Sequence, residues 1–224
     1  MTVVLVLVTF LVFALADFIL SRGKVPQVAV EKAVDPTLEP NITPAFVDGF
    51  ALSDKVRYHP GHAWCLQERK HLERVGVDEF AAALAGPVDK IELPRPGQWI
   101  RQGQKAWGFS RKGEKIEMVS PTEGEVIEVN SEIAKDPSLL RKDPYGRGWL
   151  MVVHVPDEEN TGRNLLPKSL VPSWMRSAVE ALYARQPQLA GATAADGGRP
   201  VEDLTTALPA SEWRALADEF FLTR

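Results

Sequence analysis

The stretch WGFSRKGEKIEMVSPTEGEVIEVN, Trp107 to Asn130, decides what fold to expect in the middle of the chain. Apolar and polar residues alternate on both sides of a polar tip that runs from Arg111 to Glu114. Period-two alternation around a glycine-containing tip is typical of a β-hairpin. Gly113 can adopt the positive φ that a tight turn needs, and Lys112 keeps the tip soluble. The stretch therefore predicts two paired strands joined by a short turn.

The regions on either side of this stretch predict that Lys55 to Val155 form a compact β-rich domain. They consist of short apolar runs separated by glycine and proline, a spacing typical of a β-sandwich or barrel. The runs are RVGVDEF, DKIELPRPGQWI, KAWGFS, KIEMVS, GEVIEVN and GWLMVVHV.

Three segments around and within this region predict helices. In VDEFAAALAG, Asp78 is the expected N-cap and Gly86 the stop, and Ser131 is the expected N-cap of SEIAKDPSLLRK. The segment NLLPKSLVPSWMRSAVEALYARQ predicts a longer closing helix, because Pro172 suits a first turn and one apolar stripe follows it. The residues of that stripe are Trp174, Ala178, Val179 and Leu182.

The N-terminal run TVVLVLVTFLVFALADFIL, Thr2 to Leu20, predicts a membrane anchor. It carries one charge, Asp17, and at about 1.5 Å per residue a helix of this length nearly spans a hydrocarbon core of about 30 Å. The basic region and small-residue cleavage motif of a signal peptide are missing, which indicates that the anchor is retained. Because Arg22 and Lys24 follow the run, the positive-inside rule predicts a single-pass protein of the cytoplasmic membrane with its bulk in the cytoplasm.

These features divide the chain into five predicted parts. Residues 1–22 form the anchor, 23–54 an extended spacer rich in proline, valine and acids, and 55–186 the β-rich domain with its closing helix. Residues 187–200 form a flexible linker of small residues, and 201–224 contain an amphipathic helix for which Ser211 can serve as N-cap.

The apolar face of this C-terminal helix is a candidate docking surface for a protein partner. The alternative, that the helix folds back onto its own domain, is equally compatible with the pattern. The residues of this face are Trp213, Leu216, Phe220 and Phe221.

Composition and motifs argue against several classes of function. The formal net charge of −4 gives no broad basic field, so nucleic-acid binding is not expected. The sequence has no nucleophile elbow, phosphate loop or zinc-protease motif, which favours a protein that is not an enzyme. His59, His62 and Cys65 follow an H-x₂-H-x₂-C spacing, but a metal site needs a further ligand and a second shell, so we expect no metal there.

Five segments between about Tyr58 and Leu182 resemble the glycine cleavage system H protein family in order and spacing. That resemblance implies the lipoyl/biotinyl barrel-sandwich hybrid fold, a mainly β fold with short helices. The segments are YHPGHAW, VGVDEFA, DKIELPRPGQWIRQGQ, SPTEGEVIEVN and DPYGRGWL.

The resemblance also implies where a lipoyl-lysine would lie. In this family the lysine occupies the hairpin tip, and counting back from Ser120 of the SP pair places Gly113 at that position. The acidic-Ser-Val-Lys-Ala tip of the family is replaced here by Ser110 to Glu114. Lys112 lies one residue early and Lys115 two residues late, and a one-residue shift in a strand turns a side chain to the opposite face.

We therefore expect no lipoate and no other cofactor, and the leading hypothesis is a membrane-tethered, non-catalytic docking or scaffold module with an unknown protein partner. The alternative hypothesis is a lipoylated carrier that serves glycine cleavage or another lipoate-dependent system, with the arm on Lys112 or Lys115. The two differ in chemistry, because in this family the lipoyl arm carries the reacting group and the protein presents it.

Overall fold

The computed structural model describes residues 45–187, residue 205 and residues 208–223. The predicted anchor, most of the spacer and most of the linker lie outside these residues. In the part that is described, no helix is both long and apolar enough to cross a bilayer.

The described residues contain eleven strands and six α-helices. The strands are β1 (Ala45–Val47), β2 (Phe50–Leu52), β3 (Arg57–Tyr58), β4 (Ala63–Arg69), β5 (Leu72–Val77), β6 (Lys90–Glu92), β7 (Trp99–Ile100), β8 (Lys105–Arg111), β9 (Glu114–Val119), β10 (Gly124–Val129) and β11 (Met151–His154). The helices are α1 (Glu79–Ala85), α2 (Ser131–Lys135), α3 (Leu139–Lys142), α4 (Glu158–Arg163), α5 (Val171–Arg185) and α6 (Ala210–Phe220).

The strands form three antiparallel sheets, which confirms the predicted mainly β fold with short helices. The largest has the order β3-β4-β5-β11-β10-β7, the second has the order β6-β8-β9, and β1 pairs with β2 alone. Side chains from all three sheets meet in one hydrophobic core, as expected when sheets bury one face each. Among the core residues are Phe50, Trp64, Val75, Phe109, Met118 and Met151.

The stretch from Trp107 to Asn130 folds as its pattern predicts. Strands β8 and β9 pair with Phe109 opposite Ile116 and with Arg111 opposite Glu114, and the apolar side chains of the alternation are buried. Lys112 and Gly113 alone form the turn, with φ of 49° and 84°. Two consecutive positive φ angles are characteristic of a type I′ turn. This turn type is favoured in hairpins because its twist matches that of the two strands.

The structure confirms one predicted N-cap and corrects two others. The Asp78 carboxylate accepts a hydrogen bond from the backbone N–H of Ala81 at 2.7 Å, and Gly86 ends α1 with a φ of 70°. Asn130, not Ser131, caps α2, because its side-chain oxygen accepts from the N–H of Glu132 at 2.9 Å. Likewise α6 begins at Ala210 after Pro209, one residue before Ser211.

The closing helix α5 packs against the domain as expected. Three residues of its predicted stripe are buried and Trp174 is half-buried, with its ring centroid 4.5 Å from that of His62. Val171 and Met175 add to the buried face.

The boundary predicted between spacer and domain is too late in the chain. Residues 45–52, assigned to the spacer, form the β1–β2 hairpin, and Phe50 and Leu52 are buried. The ring of Phe50 lies 5.3 Å from that of Phe80 in α1. The signal was the Asp48–Gly49 pair between apolar residues, a strong two-residue turn motif.

Candidate functional site

The β8–β9 tip is open at Gly113 and anchored at Lys112. A Cβ added to Gly113 would meet no atom within 4 Å. The backbone N–H of Lys112 donates to the Asp89 carboxylate at 2.7 Å, and the Lys112 side chain is exposed. The tip therefore has room for a side chain at position 113, although the positive φ there favours glycine.

Lys115 lies down the strand and is held by two acids. Its Nζ atom is 2.8 Å from Oε2 of Glu92 and 3.5 Å from Oε1 of Glu117. The hydrogen bond to Glu92 raises the pKa of Lys115. In turn, Lys115 and then Lys90 lower the pKa of Glu92 to about 2. The stem of Lys115 crosses Gly108, where a Cβ would come 2.6 Å from Cε of the lysine.

Arg111 connects the tip to the C-terminal segment. Its side chain is buried although charged, with the guanidinium 4.1 Å from the centroid of the Trp213 ring, a cation–π contact. Nη1 also donates to the hydroxyl of Thr205 at 2.8 Å. On the other strand, Glu114 forms an ion pair with Arg214. Both residues that flank the two-residue turn therefore contact the C-terminal segment.

The C-terminal helix α6 folds back onto its own domain. The four residues proposed as a docking face are all buried, Trp213 and Phe221 completely. The indole N–H of Trp213 donates to the Leu84 carbonyl at 2.9 Å, and the Phe220 ring lies 5.1 Å from that of Phe80. Burying a leucine or phenylalanine is worth about 1.5–3 kcal/mol, which holds the helix in place. The docking prediction for this face is therefore corrected in favour of the intramolecular alternative.

A cavity of about 200 Å³ lies between the tip and the first turn of α6. Asp89, Lys112, Leu208 and Trp213 are among the residues that line it. The cavity combines charged groups from the hairpin side with apolar groups from the helix.

The three residues of the H-x₂-H-x₂-C spacing are buried: His59, His62 and Cys65. His62 Nδ1 lies 2.8 Å from the Asp78 carboxylate, both groups being buried, and its ring stacks on Phe80. Burial and the neighbouring His62 lower the pKa of His59 to about 4, and burial raises the pKa of the Cys65 thiol. Over residues 45–187 and 208–223 no cluster of histidine, cysteine and acidic residues could hold a metal ion.

Sequence reasoning missed the residues that anchor the tip. All three are distant from the tip in sequence: Asp89 begins one of the five segments that resemble the family, and Thr205 and Arg214 belong to no motif. The one available signal was the position of Arg111, a charged residue on the same face of its strand as the apolar Trp107 and Phe109.

Comparison with known proteins identifies a family for the middle of the chain. The sequence model of the glycine cleavage H-protein family matches residues 56–173. The glycine cleavage system H protein of Bifidobacterium longum is 32% identical over 108 residues, which cover 48% of this chain and 78% of the relative. That of Streptomyces coelicolor is 32% identical over 104 residues, 46% of this chain and 83% of the relative.

A further relative and one solved structure complete the comparison. The glycine cleavage system H protein of Mycobacterium leprae is 34% identical over 103 residues, 46% of this chain and 77% of the relative. The crystal structure of the corresponding protein of Mycobacterium marinum has a TM-score of 0.44 and 24% identity, and the match covers 47% of this chain and 87% of that chain. Helix α6 lies beyond the residues matched by the family model.

Proposed function

Because the chain belongs to the glycine cleavage H-protein family, we propose that it is a member without a lipoyl arm that acts as a non-catalytic docking module tethered to the cytoplasmic membrane. One observation carries the proposal. Gly113, the residue that counting back from Ser120 assigns to the lipoyl-lysine position, is one of the two residues of the hairpin turn.

Gly113 does not fit a lipoyl group. Lipoate is attached through an amide to a side-chain amine, and glycine has no side chain to supply one. The backbone at this position, with a φ of 84°, also suits glycine better than any residue with a Cβ. Without the arm the domain has no group to carry between enzymes.

Without an arm, the hairpin can still offer a partner a tip that is held in one conformation. Asp89, Trp213 and Arg214 restrain three of the four residues at the tip from outside the hairpin. Restraint of this kind reduces the entropy lost on binding, which favours a surface that docks to a partner. The apolar run from Thr2 to Leu20 supports the tether.

The mass of the intact protein, co-expressed with a lipoate ligase, tests the absence of the arm. We expect the unchanged chain to keep its calculated mass, and we expect Gly113→Lys to gain one lipoyl group. Arg111 is best left in place in such a variant, because its replacement would remove the contact with Trp213. A genuine H protein modified in the same cells serves as the positive control.

The second candidate function is a lipoylated carrier with a displaced arm, and one observation favours Lys112 for it. Lys112 is one of the two turn residues and its side chain is exposed, whereas the ammonium group of Lys115 is paired with Glu92 and Glu117. A gain of one lipoyl group by the unchanged chain that disappears in Lys112→Gln and persists in Lys115→Gln would establish this carrier and refute the first proposal.

A deletion tests the tether. Removal of residues 1–22 should release a soluble, folded domain, because the described core is complete without them. If the shortened chain still sediments with membranes, the anchor is not where the sequence predicts it. Cleavage of the full-length chain by a protease added only outside inverted membrane vesicles, which expose the cytoplasmic face, would support the predicted orientation.

A further inference from the structure

The C-terminal helix contacts the hairpin on both sides of its turn. Arg111, the last residue of β8, lies under the Trp213 ring, and Glu114, the first residue of β9, pairs with Arg214. Trp213 and Arg214 are neighbours in α6, so the beginning of one helix holds both strands next to the turn. The two turn residues between Arg111 and Glu114 take no part in this cation–π contact or this ion pair.

The same helix packs against the smaller sheet. In the order β6-β8-β9, strand β9 is an outer strand, and α6 packs against it. A helix over an outer strand shields backbone groups that another chain would otherwise pair with. The flank of the hairpin is therefore covered, and its tip is open.

The far end of the helix is fixed to other parts of the domain. The Arg185 guanidinium in α5 forms two hydrogen bonds to the Glu219 carboxylate, at 2.6 and 2.8 Å. The Phe220 ring packs edge-on against His62, and the Phe221 carbonyl oxygen approaches the turn at Gly61. With contacts at both ends, α6 spans the distance from the hairpin tip to the loop before β4.

From these contacts we propose that α6 is an intramolecular cover that restricts the access of other macromolecules to the β8–β9 hairpin. The proposal rests on the proposed function and adds a regulation of the same hairpin. Small molecules reach the tip, since a Cβ at Gly113 would meet no neighbour within 4 Å. A protein that must surround the turn meets Trp213 and Arg214 first.

The segment that contains α6 can be separated from the rest of the domain after the protein has folded. A specific protease site placed between residues 188 and 204 of full-length Gly113→Lys allows the protein to fold before it is cut. Cutting replaces a tethered helix, at an effective concentration in the millimolar range, by a peptide at the working concentration of about 1 μM. Size-exclusion chromatography then shows whether the peptide has left.

The measurement is the rate at which a lipoate ligase modifies the lysine introduced by Gly113→Lys, followed by intact mass. We expect cutting and loss of the peptide to raise the rate about tenfold or more, and excess synthetic peptide spanning residues 205–224, which keeps the Thr205 contact with Arg111, to restore the slow rate. Acetylation of the same lysine by a small N-hydroxysuccinimide ester is the matched control and should change less than about twofold, because the tip is already open to small molecules. If the peptide stays bound after cutting, Trp213→Ala in the same background weakens it.

The outcomes separate this proposal from the one it rests on. Equal rates of lipoylation with and without the peptide would overturn the cover and leave Gly113 as the reason for the missing arm. No modification in either state, beside a modified genuine H protein, would show that position 113 is not the arm position and would overturn the proposed function. Faster modification that the added peptide reverses supports both.

Discussion

Two hairpins of the molecule have the same turn and different surroundings. Asp48–Gly49 joins β1 and β2 with φ of 48° and 87°, and Lys112–Gly113 joins β8 and β9 with φ of 49° and 84°. A residue followed by glycine, both with positive φ, is standard chemistry for a two-residue hairpin. The β1–β2 turn lies outside the region that resembles the H protein, so the Lys-Gly pair needs no carrier role to explain its backbone.

The surroundings explain what is particular to the second hairpin. At the β1–β2 turn, the Asp48 carboxylate is 4.0 Å from the Arg176 guanidinium, and both side chains are exposed. At the β8–β9 turn, the completely buried Trp213 contacts the buried Arg111, Arg214 pairs with Glu114, and a carboxylate accepts from the backbone N–H of Lys112. Function in this chain is therefore expected to depend on what covers the second turn, since the turns themselves are alike.

The largest expected effect comes from removing the cover of the second hairpin at its centre. Trp213→Ala should lower the free energy of unfolding by about 3–5 kcal/mol, because it leaves a cavity and removes the partner of the Leu84 carbonyl. Arg176→Ala, which removes the exposed contact of the first turn, should change it by less than about 0.5 kcal/mol. Urea unfolding measures both, and a Trp213→Ala effect below about 1 kcal/mol would show that α6 is not part of the cooperative core.

The second-largest effect is expected from acid, which should lower the free energy of unfolding through His59. This residue lies in the loop that the C-terminal end of α6 contacts. The pKa of His59 is lowered to about 4 by burial and by His62, while the unfolded chain has the ordinary value of 6.5. Below pH 6.5 the unfolded state binds the proton more readily, so stability is lost as the pH falls from 6.5 to about 4. The loss is at most about 3 kcal/mol.

The difference in stability between the unchanged chain and His59→Gln isolates this group. Glu73 contributes the opposite slope, since burial raises the pKa of its carboxyl above 4.5 and its stabilising neutral form is lost as the pH rises. The contribution of Glu73 is the same in both proteins, so it cancels when their free energies of unfolding are subtracted. A difference that stays constant between pH 7 and pH 4 would refute the assignment to His59. At low pH, hydrogen exchange should increase first along α6 and β9, before β1 and β2.

The comparison of the hairpins also shows how far the sequence predicts this molecule. Alternation on both sides of the polar tip from Arg111 to Glu114 made β8 and β9 predictable, because period two and a glycine turn act locally. The three-residue strands β1 and β2 carry the same signal over too few residues, next to a proline-rich segment. A short strand gains its stability from the core it packs on, which alternation does not show.

The candidate site was predictable to the same extent. Counting from Ser120 placed Gly113 in the turn, and its positive φ follows from that. The position of α6 was not predictable, since an amphipathic helix after a linker has an apolar face that fits its own domain or another. Only the tertiary structure shows that Arg111, a charged residue, is buried beneath Trp213.

Substitutions at the two turn glycines test whether the turns are alike in energy as well as in geometry. Gly49→Ala and Gly113→Ala should each cost about 1 kcal/mol, because a Cβ disfavours the positive φ that both positions require. Thermal or urea unfolding of the two variants gives the comparison. If the costs differ by more than about 0.5 kcal/mol, the contacts around one turn impose strain that the backbone angles do not show.

The smallest expected effect concerns two lysines of the second hairpin, Lys112 in its turn and Lys115 on strand β9, which differ in what they contact. Lys115 is the first cause of the lowered pKa of Glu92, about 2, and Lys90 is the second. Lys115→Gln should therefore raise the pKa of Glu92 only part of the way to its ordinary value, because Lys90 remains 3.0 Å away. Lys112→Gln should leave the pKa of Glu92 unchanged. Lys112 is joined to this region through its backbone N–H, which donates to Asp89, and the substitution keeps that group.

NMR titration of the Glu92 carboxyl carbon distinguishes the two variants. An equal rise in both would mean that the Lys112 ammonium group also reaches the β6 strand, and the distinction between an open lysine at the turn and a paired lysine on the strand would fail.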